Sequence, residues 1–331
     1  MFNFRTVIIL TNYSRYQFLP NCLRYYISKN IFLISIKSKF IFKILKKIFK
    51  KKIIFISCDK LLNESNLYDY NLWFNSELEL YLDNKIINNK DLFCYKNPFF
   101  ENEELPVFPT RIVSHEIKEK SIVYFSEVNI DTSEEAKQLW QKNKDYFLNN
   151  FNKINYIDFS NIKLPDYHQK NLPEYLKKLC FIKELKRFFR FEIVNLINEN
   201  YKKDFILVGT SWQKYGIRSL KTNYSIKKKR ELMKNNVCID LGSQVGATEM
   251  DFRSVGIIEN GGILLQVKQK NSQELLEKYD FMNKFICNSK IELLDKLNSL
   301  IKSKECFTDQ FKIISSYHQK KFEEKIFNLK N

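Results

Sequence analysis

Two neighbouring stretches, DFILVGTSWQKYGI (204–217) and VCIDLGSQVGATEMDFRSVGIIENGGILLQVKQ (237–269), hold every glycine of this chain. All seven glycines lie between Gly209 and Gly262, and the first 208 residues have none. Glycine costs conformational entropy and is used where the backbone must turn with positive φ or let another group approach closely. Apolar, strand-like runs at Phe205–Val208, 237–241 and Ile263–Val267 each meet a glycine at one end. In an open α/β sheet, ligands bind just beyond the carboxyl ends of the strands. The glycine-bearing loops are therefore the expected site.

Working outward, the alternation continues on both sides. Residues 121–128 (SIVYFSEV) read as a strand, and Thr132-Ser133-Glu134-Glu135 is a helix-start signature leading into 136–150. Residues 154–159 read as another strand, and a long helix is expected from Pro173 to about Tyr201. Helices are expected at 225–234, 251–260, 272–279 and 290–303, with a short strand at 285–287. Six strands alternating with helices predict a doubly wound parallel sheet over residues 118–308. Residues 309–331 continue as one amphipathic helix.

Residues 1–117 predict a second, Rossmann-like domain. Strands are expected at 6–10, 31–36 and 53–57, with a helix at 18–28 between the first two. Between the second and third lies KSKFIFKILKKIFKKK (37–52), which places Phe40, Ile41, Ile44, Leu45, Ile48 and Phe49 on one helical face and Lys39, Lys43, Lys46, Lys47 and Lys50 on the other. Two readings stand. The helix packs its apolar face in a core, or it lies on an anionic membrane surface through Lys43, Lys46, Lys47 and Lys50. Beyond it the pattern weakens. Trp73, Phe74, Leu78, Leu80 and Leu82 suggest an element packed on the first sheet, and Pro106 and Pro109 mark a loop and the domain boundary near 105–118.

Composition sets the outer limits. The 331 residues carry a net charge of +17 and 44% hydrophobic residues, enough for two cores and suggestive of an anionic partner. Seven scattered cysteines without a CxxC pair, and three histidines (His115, His168, His318) with no cysteine neighbour, argue for free thiols and against a zinc site. No apolar run reaches spanning length and no leader-like start is evident, so a cytoplasmic protein is expected, with peripheral contact at the inner membrane face as an extension.

The candidate chemistry is anion recognition. GTSW at 209–212 follows a strand, where Gly209 frees an amide and Trp212 could stack on a base. Arg187 and Arg190 suit phosphate, although Glu184 and Glu192 beside them equally suit a surface face. Ser243, the backbone of 246–248 and Arg253 could hold a diphosphate, and Glu259 could accept from a ribose.

Taken in order, these segments resemble the carboxyl-terminal domain of GT-B glycosyltransferases, in the group 1-like branch whose helix reads roughly R-x-F-E-x-x-x-x-G-G. Here that helix is Arg253-Ser254-Val255-Gly256-Ile257-Ile258-Glu259-Asn260-Gly261-Gly262. The arginine and both glycines are in register. Gly256 stands where the family has glutamate, and Glu259, one turn later, shares its face. The resemblance covers about 120–331. It implies two Rossmann-like domains, the carboxyl one binding a nucleotide-diphosphate sugar through Gly209, Trp212, Ser243, Arg253, Glu259, Gly261 and Gly262. It implies an amino domain for a glycan, lipid or protein acceptor, chemistry in the cleft between, no metal or cofactor, a terminal helix crossing back, and a role of the polysaccharide-biosynthesis kind. Asp59, after the third strand, and His115, near the hinge, are both candidates for the base. Two other readings remain open: a non-catalytic sugar or nucleotide binder, which Gly256 favours, and a basic nucleic-acid binder, for which no specific motif is present.

Overall fold

The structure, a computed structural model, describes residues 6–10, 34–36, 38–48, 53–57, 70–73, 91–93, 103–104, 108–115, 119–167, 174–220, 226–242, 250, 252–268 and 272–327. Its contacts divide the chain into two units, Met1–Thr110 with Ser315–Asn331, and Arg111–Ile314.

In the first unit, β1 (Thr6–Leu10), β2 (Ile34–Ile36), α1 (Lys39–Ile48), β3 (Ile53–Ser57), β4 (Tyr70–Trp73), β5 (Asp91–Phe93) and β6 (Glu103–Glu104) follow in order. The six strands form one sheet, β2-β1-β3-β4-β5-β6, in which each pairing is parallel. The expected strands at 6–10 and 53–57 are present, and the one expected at 31–36 is described over its last three residues. The helix expected at 18–28 and Leu78, Leu80 and Leu82 lie outside the described residues.

The second unit runs β7 (Ile122–Phe125), α2 (Glu134–Asn149), α3 (Glu174–Tyr201), β8 (Phe205–Val208), α4 (Ile226–Met233), β9 (Val237–Asp240), α5 (Phe252–Glu259), β10 (Ile263–Val267), α6 (Ser272–Lys278), β11 (Ile286–Cys287) and α7 (Lys290–Lys302). A last helix, α8 (Thr308–Phe327), begins in this unit and ends among the residues grouped with the first. There its Phe322 ring meets Phe108 edge-on, centroids 5.5 Å apart, and Ser315 Oγ donates to the Pro109 carbonyl at 2.6 Å.

The second unit is an α/β fold around a five-stranded, all-parallel sheet of order β11-β10-β9-β7-β8. Every residue of β9 and β10 is buried, as expected of central strands covered on both faces. The chain steps one way from β7 to β8, then returns past β7 to lay down β9, β10 and β11 on the other side. The order reverses between β7 and β9, so their carboxyl ends diverge into loops that leave in opposite directions. A single parallel bridge, Val208 to Leu220, sits outside β8, with Gly209 N donating to Leu220 O and Leu220 N to Leu207 O, both at 2.8 Å. Counted as a minimal strand, it extends the order to 3-2-1-4-5-6, that of dinucleotide-binding sheets.

One expected strand is absent. Residues 154–159 read as a strand, but 151–155 form a 3₁₀ turn and 156–159 an irregular segment. The backbone just before it is already committed: Phe151 N donates to Asn288 O at 2.8 Å and Asn152 N to Asn288 Oδ1 at 3.2 Å. Phe151 and Ile154, three residues apart, both reach the core, which a 3₁₀ turn allows and a strand does not.

The helix starts follow their caps. Ser133 caps α2, its Oγ accepting from Ala136 N and donating to Glu184 of α3. Between α2 and α3, Trp140 stacks on Phe188 with centroids 5.9 Å apart, and Phe151, in the 3₁₀ turn after α2, meets Phe189 of α3 edge-on at 4.9 Å.

Candidate functional site

The carboxyl ends of β7, β8 and β9 bring together Ser126, Glu127, the 209–212 turn and 240–242, with the first turn of α5 above them. Their local chemistry differs from what the residue types alone suggested.

Gly209 is glycine because two strand ends nearly touch. A Cβ placed on it would lie 1.9 Å from the Ser126 carbonyl oxygen. That same oxygen accepts the indole Nε1–H of Trp212 at 2.7 Å. Trp212 is completely buried and lies parallel to Phe191, centroids 6.4 Å apart. Its ring is core, closed to a stacking base. The turn is clasped further by Val128 N donating to Ser211 Oγ at 2.7 Å and Ile130 N to Tyr215 Oη at 3.1 Å.

The amides that follow Gly209, which could have received an anion, are taken by the chain's own carboxylate. Thr210 N donates to Glu127 Oε1 at 2.7 Å and Ser211 N to Oε2 at 2.6 Å, with Thr210 Oγ1 adding a third bond at 3.1 Å. Partial burial alone would raise the Glu127 pKa, but these donors from Ser211 and Thr210 together hold it below the usual carboxylate value. Nothing in the spacing of Glu127 announced this role.

A carboxylate whose folded pKa is depressed stabilises the fold above its unfolded pKa and ceases to do so as pH falls through the folded value. Glu127→Gln is therefore expected to cost roughly 1 kcal/mol at pH 7, the scale of a lost cap. In urea melts this gap should close as pH falls below about 4. A gap that does not narrow at all as pH falls below the unfolded value would contradict the assignment.

Asp240, at the end of β9, is buried and ties three elements together. Its Oδ1 accepts from Gly242 N at 3.0 Å and its Oδ2 from Ser254 Oγ of α5 at 2.7 Å, while Ser254 Oγ also lies 3.1 Å from Gln266 Oε1 of β10. One hydroxyl has one proton to give, so the two contacts compete, and the shorter one, to Asp240, is the better hydrogen bond. This tie sets where α5 begins relative to the sheet. One residue earlier, Arg253 places its guanidinium 6.0 Å from the ring centroid of Tyr124 in β7. Arg253 thus stands over the point where the strand order reverses. Among the described residues, the buried Tyr124 hydroxyl has no hydrogen-bond partner.

The remaining expected site residues do not join this group. An eight-residue α5 separates Arg253 from Glu259 by about 9 Å along the axis, since a helix rises 1.5 Å per residue. Because α5 runs against the strands, Glu259, Gly261 and Gly262 lie at the amino edge of the sheet. There Arg111 Nε donates to the Glu259 carbonyl at 2.9 Å, and Asn235 N to Gly261 O at 2.7 Å. Gly261 holds φ +73°, with a neighbouring Val113 methyl 3.0 Å from where a Cβ would stand. His115 is at this edge too, buried, its Nε2 3.3 Å from Gly262 O and its ring beside Phe311. A carbonyl only accepts, so Nε2 carries the proton. Burial lowers the His115 pKa, the Gly262 bond opposes that, and Lys120 lowers it further, leaving it below the ordinary value.

Arg187 donates to the Asp131 carbonyl at 3.1 Å, and Lys144 and Glu192 form an ion pair at 2.7 Å between α2 and α3. Ser243, the 246–248 backbone, Asp59, Lys50 and His168 lie outside the described residues. Gly256 faces open space: a Cβ there would meet nothing within 4 Å. Of the described cysteines, Cys238 and Cys287 are buried free thiols, the latter pushed up to about 12 chiefly by burial, while Cys306 is exposed. Among the described residues, no three His, Cys, Asp or Glu could share a metal ion, and no helix is long and apolar enough to cross a membrane.

Comparison of the chain with protein-family models, with curated proteins and with solved structures finds no match.

Proposed function

We propose that this chain is a GT-B-type glycosyltransferase built on two Rossmann-like domains, whose second unit receives the diphosphate of a nucleotide-sugar donor at the reversal point of its sheet. The observation that carries the reading is the position of Arg253: first turn of α5, over Tyr124 of β7, beside the Asp240 tie that ends β9. An arginine and a helix amino terminus together stabilise the negative charge that builds on a leaving diphosphate. The extended 3-2-1-4-5-6 order and the parallel sheet of the first unit support the same architecture. In this reading Arg253 contacts donor, whereas Glu259, Gly261 and Gly262 build the amino edge of the sheet. Deprotonation of an acceptor hydroxyl belongs to a base in the first unit.

A second reading, a nucleotide binder without turnover, is favoured by Gly256, which leaves the family's glutamate position empty, and by Glu127, which already fills the amides after β8.

Titration with nucleoside diphosphates tests the site. Arg253→Ala is expected to weaken binding about 10- to 100-fold, the range for one charge-assisted contact to phosphate. Glu259→Ala should leave affinity within about two-fold once folding is saturated. The reverse pattern would move the site to the other edge of the sheet. Binding that depends on Arg253 without sugar transfer or donor hydrolysis would select the second reading.

A further inference from the structure

An amphipathic helix on a globular protein normally buries its apolar face. Helix α1 does the opposite. Phe40 is 72% exposed, Ile41 49%, Ile44 40% and Ile48 63%, while Phe42, on the other side, is fully buried. Phe40, Ile44 and Ile48 are four residues apart, so they form one row along a rod about 15 Å long, and Ile41 widens it. The adjacent row carries Lys43 and Lys47, the latter exposed. The stretch 37–52 carries eight lysines and no acid, and the first 58 residues carry three arginines and nine lysines against no aspartate or glutamate.

From this we infer that α1 is a docking surface for an anionic lipid bilayer, its Phe40–Ile48 row entering the acyl boundary while the neighbouring lysines meet the headgroups. Charge selects this occupant. Two copies of α1 would bring lysine against lysine, whereas a leaflet rich in anionic headgroups attracts each lysine and accepts the apolar row at the same depth. Apolar burial supplies a salt-insensitive part of the binding, and the lysines a screened part. The inference is independent of the reaction proposed above, and its test needs no nucleotide or acceptor.

The test is co-sedimentation of the full chain with vesicles of phosphatidylcholine alone or containing about 30% phosphatidylglycerol, where each lysine near the surface is worth on the order of a five-fold gain. Binding is expected to the mixed vesicles, at least about ten-fold tighter than to phosphatidylcholine, and weakened but not abolished as salt rises from about 0.1 to 1 M. The variant F40S/I44S/I48S should keep its melting temperature, since those side chains are exposed, and lose at least about ten-fold in binding. K43Q/K46Q/K47Q should lose a similar factor at low salt and little at high salt. Absence of wild-type binding to mixed vesicles overturns the inference, as does a serine variant that binds like wild type. A wild-type dimer that the serine variant converts to monomer, with no vesicle binding, would assign the face to a second copy.

Discussion

Trp212→Ala is expected to destabilise the second unit by about 3–5 kcal/mol, the range for deleting a fully buried tryptophan. The ring is enclosed, lies parallel to Phe191, and donates Nε1–H to the Ser126 carbonyl at 2.7 Å. Trp212→Phe separates the two contributions. It keeps most of the apolar volume but leaves that buried carbonyl without its donor, at about 1–3 kcal/mol. Urea melts followed by far-UV circular dichroism read both. Nucleotide affinity of Trp212→Phe stays within about two-fold of wild type, because a covered ring cannot stack on a base. A large affinity loss in a variant that is still folded would contradict the placement of Trp212 in the core.

Gly209→Ala is the second large effect, and its cause is steric. One added methyl would sit 1.9 Å from Ser126 O and 3.0 Å from both Ser126 C and Trp212 Cδ1. The obstruction is backbone, so no side-chain rotation relieves it. The ends of β7 and β8 must part, straining Ser126 N→Val208 O at 3.0 Å and Gly209 N→Leu220 O at 2.8 Å. A cost of at least about 3 kcal/mol follows. Gly256→Ala is the matched control: its Cβ meets nothing, and replacing a helical glycine there should be neutral or stabilising by up to about 1 kcal/mol. Equal melting temperatures for the two alanine variants would contradict this reading of the strand ends.

These two residues show where the sequence was legible and where it was not. The strands of the second unit were readable because β9 and β10 are buried on both faces and so appear as continuous apolar runs ending at glycine. The start of α2 was readable because capping by Ser133 is a local property of four residues. Residues 154–159 misled because an apolar-rich run cannot reveal that the chain just before it, at Phe151 and Asn152, is bonded to Asn288, more than 130 positions away. For the same reason the carboxyl end of β8 looked like an open anion site. Gly209 and the amides after it have the right character, but Ser126 and Glu127, some 80 residues earlier, occupy the space and the donors. Arg253 and Glu259 both read as contacts to one donor, whereas the direction of α5 against the sheet puts them at opposite ends of the strands. In α1 the two-sided pattern was plain, but which side faces outward is a tertiary fact that periodicity does not carry.

The central claim is that the reversal point of the second unit's sheet binds a nucleotide diphosphate through Arg253 and a helix amino terminus. Its most direct test is a thermal-shift screen of the wild-type chain and Arg253→Ala against UDP, GDP, CDP and ADP, with and without EDTA. A ligand at about 100 times its dissociation constant adds about 2.7 kcal/mol to the folded state, a shift of several degrees. The account predicts such a shift with one nucleotide diphosphate, unchanged by EDTA and cut to about half or less in Arg253→Ala. No shift with any of the four, or one that Arg253→Ala leaves intact, would contradict it.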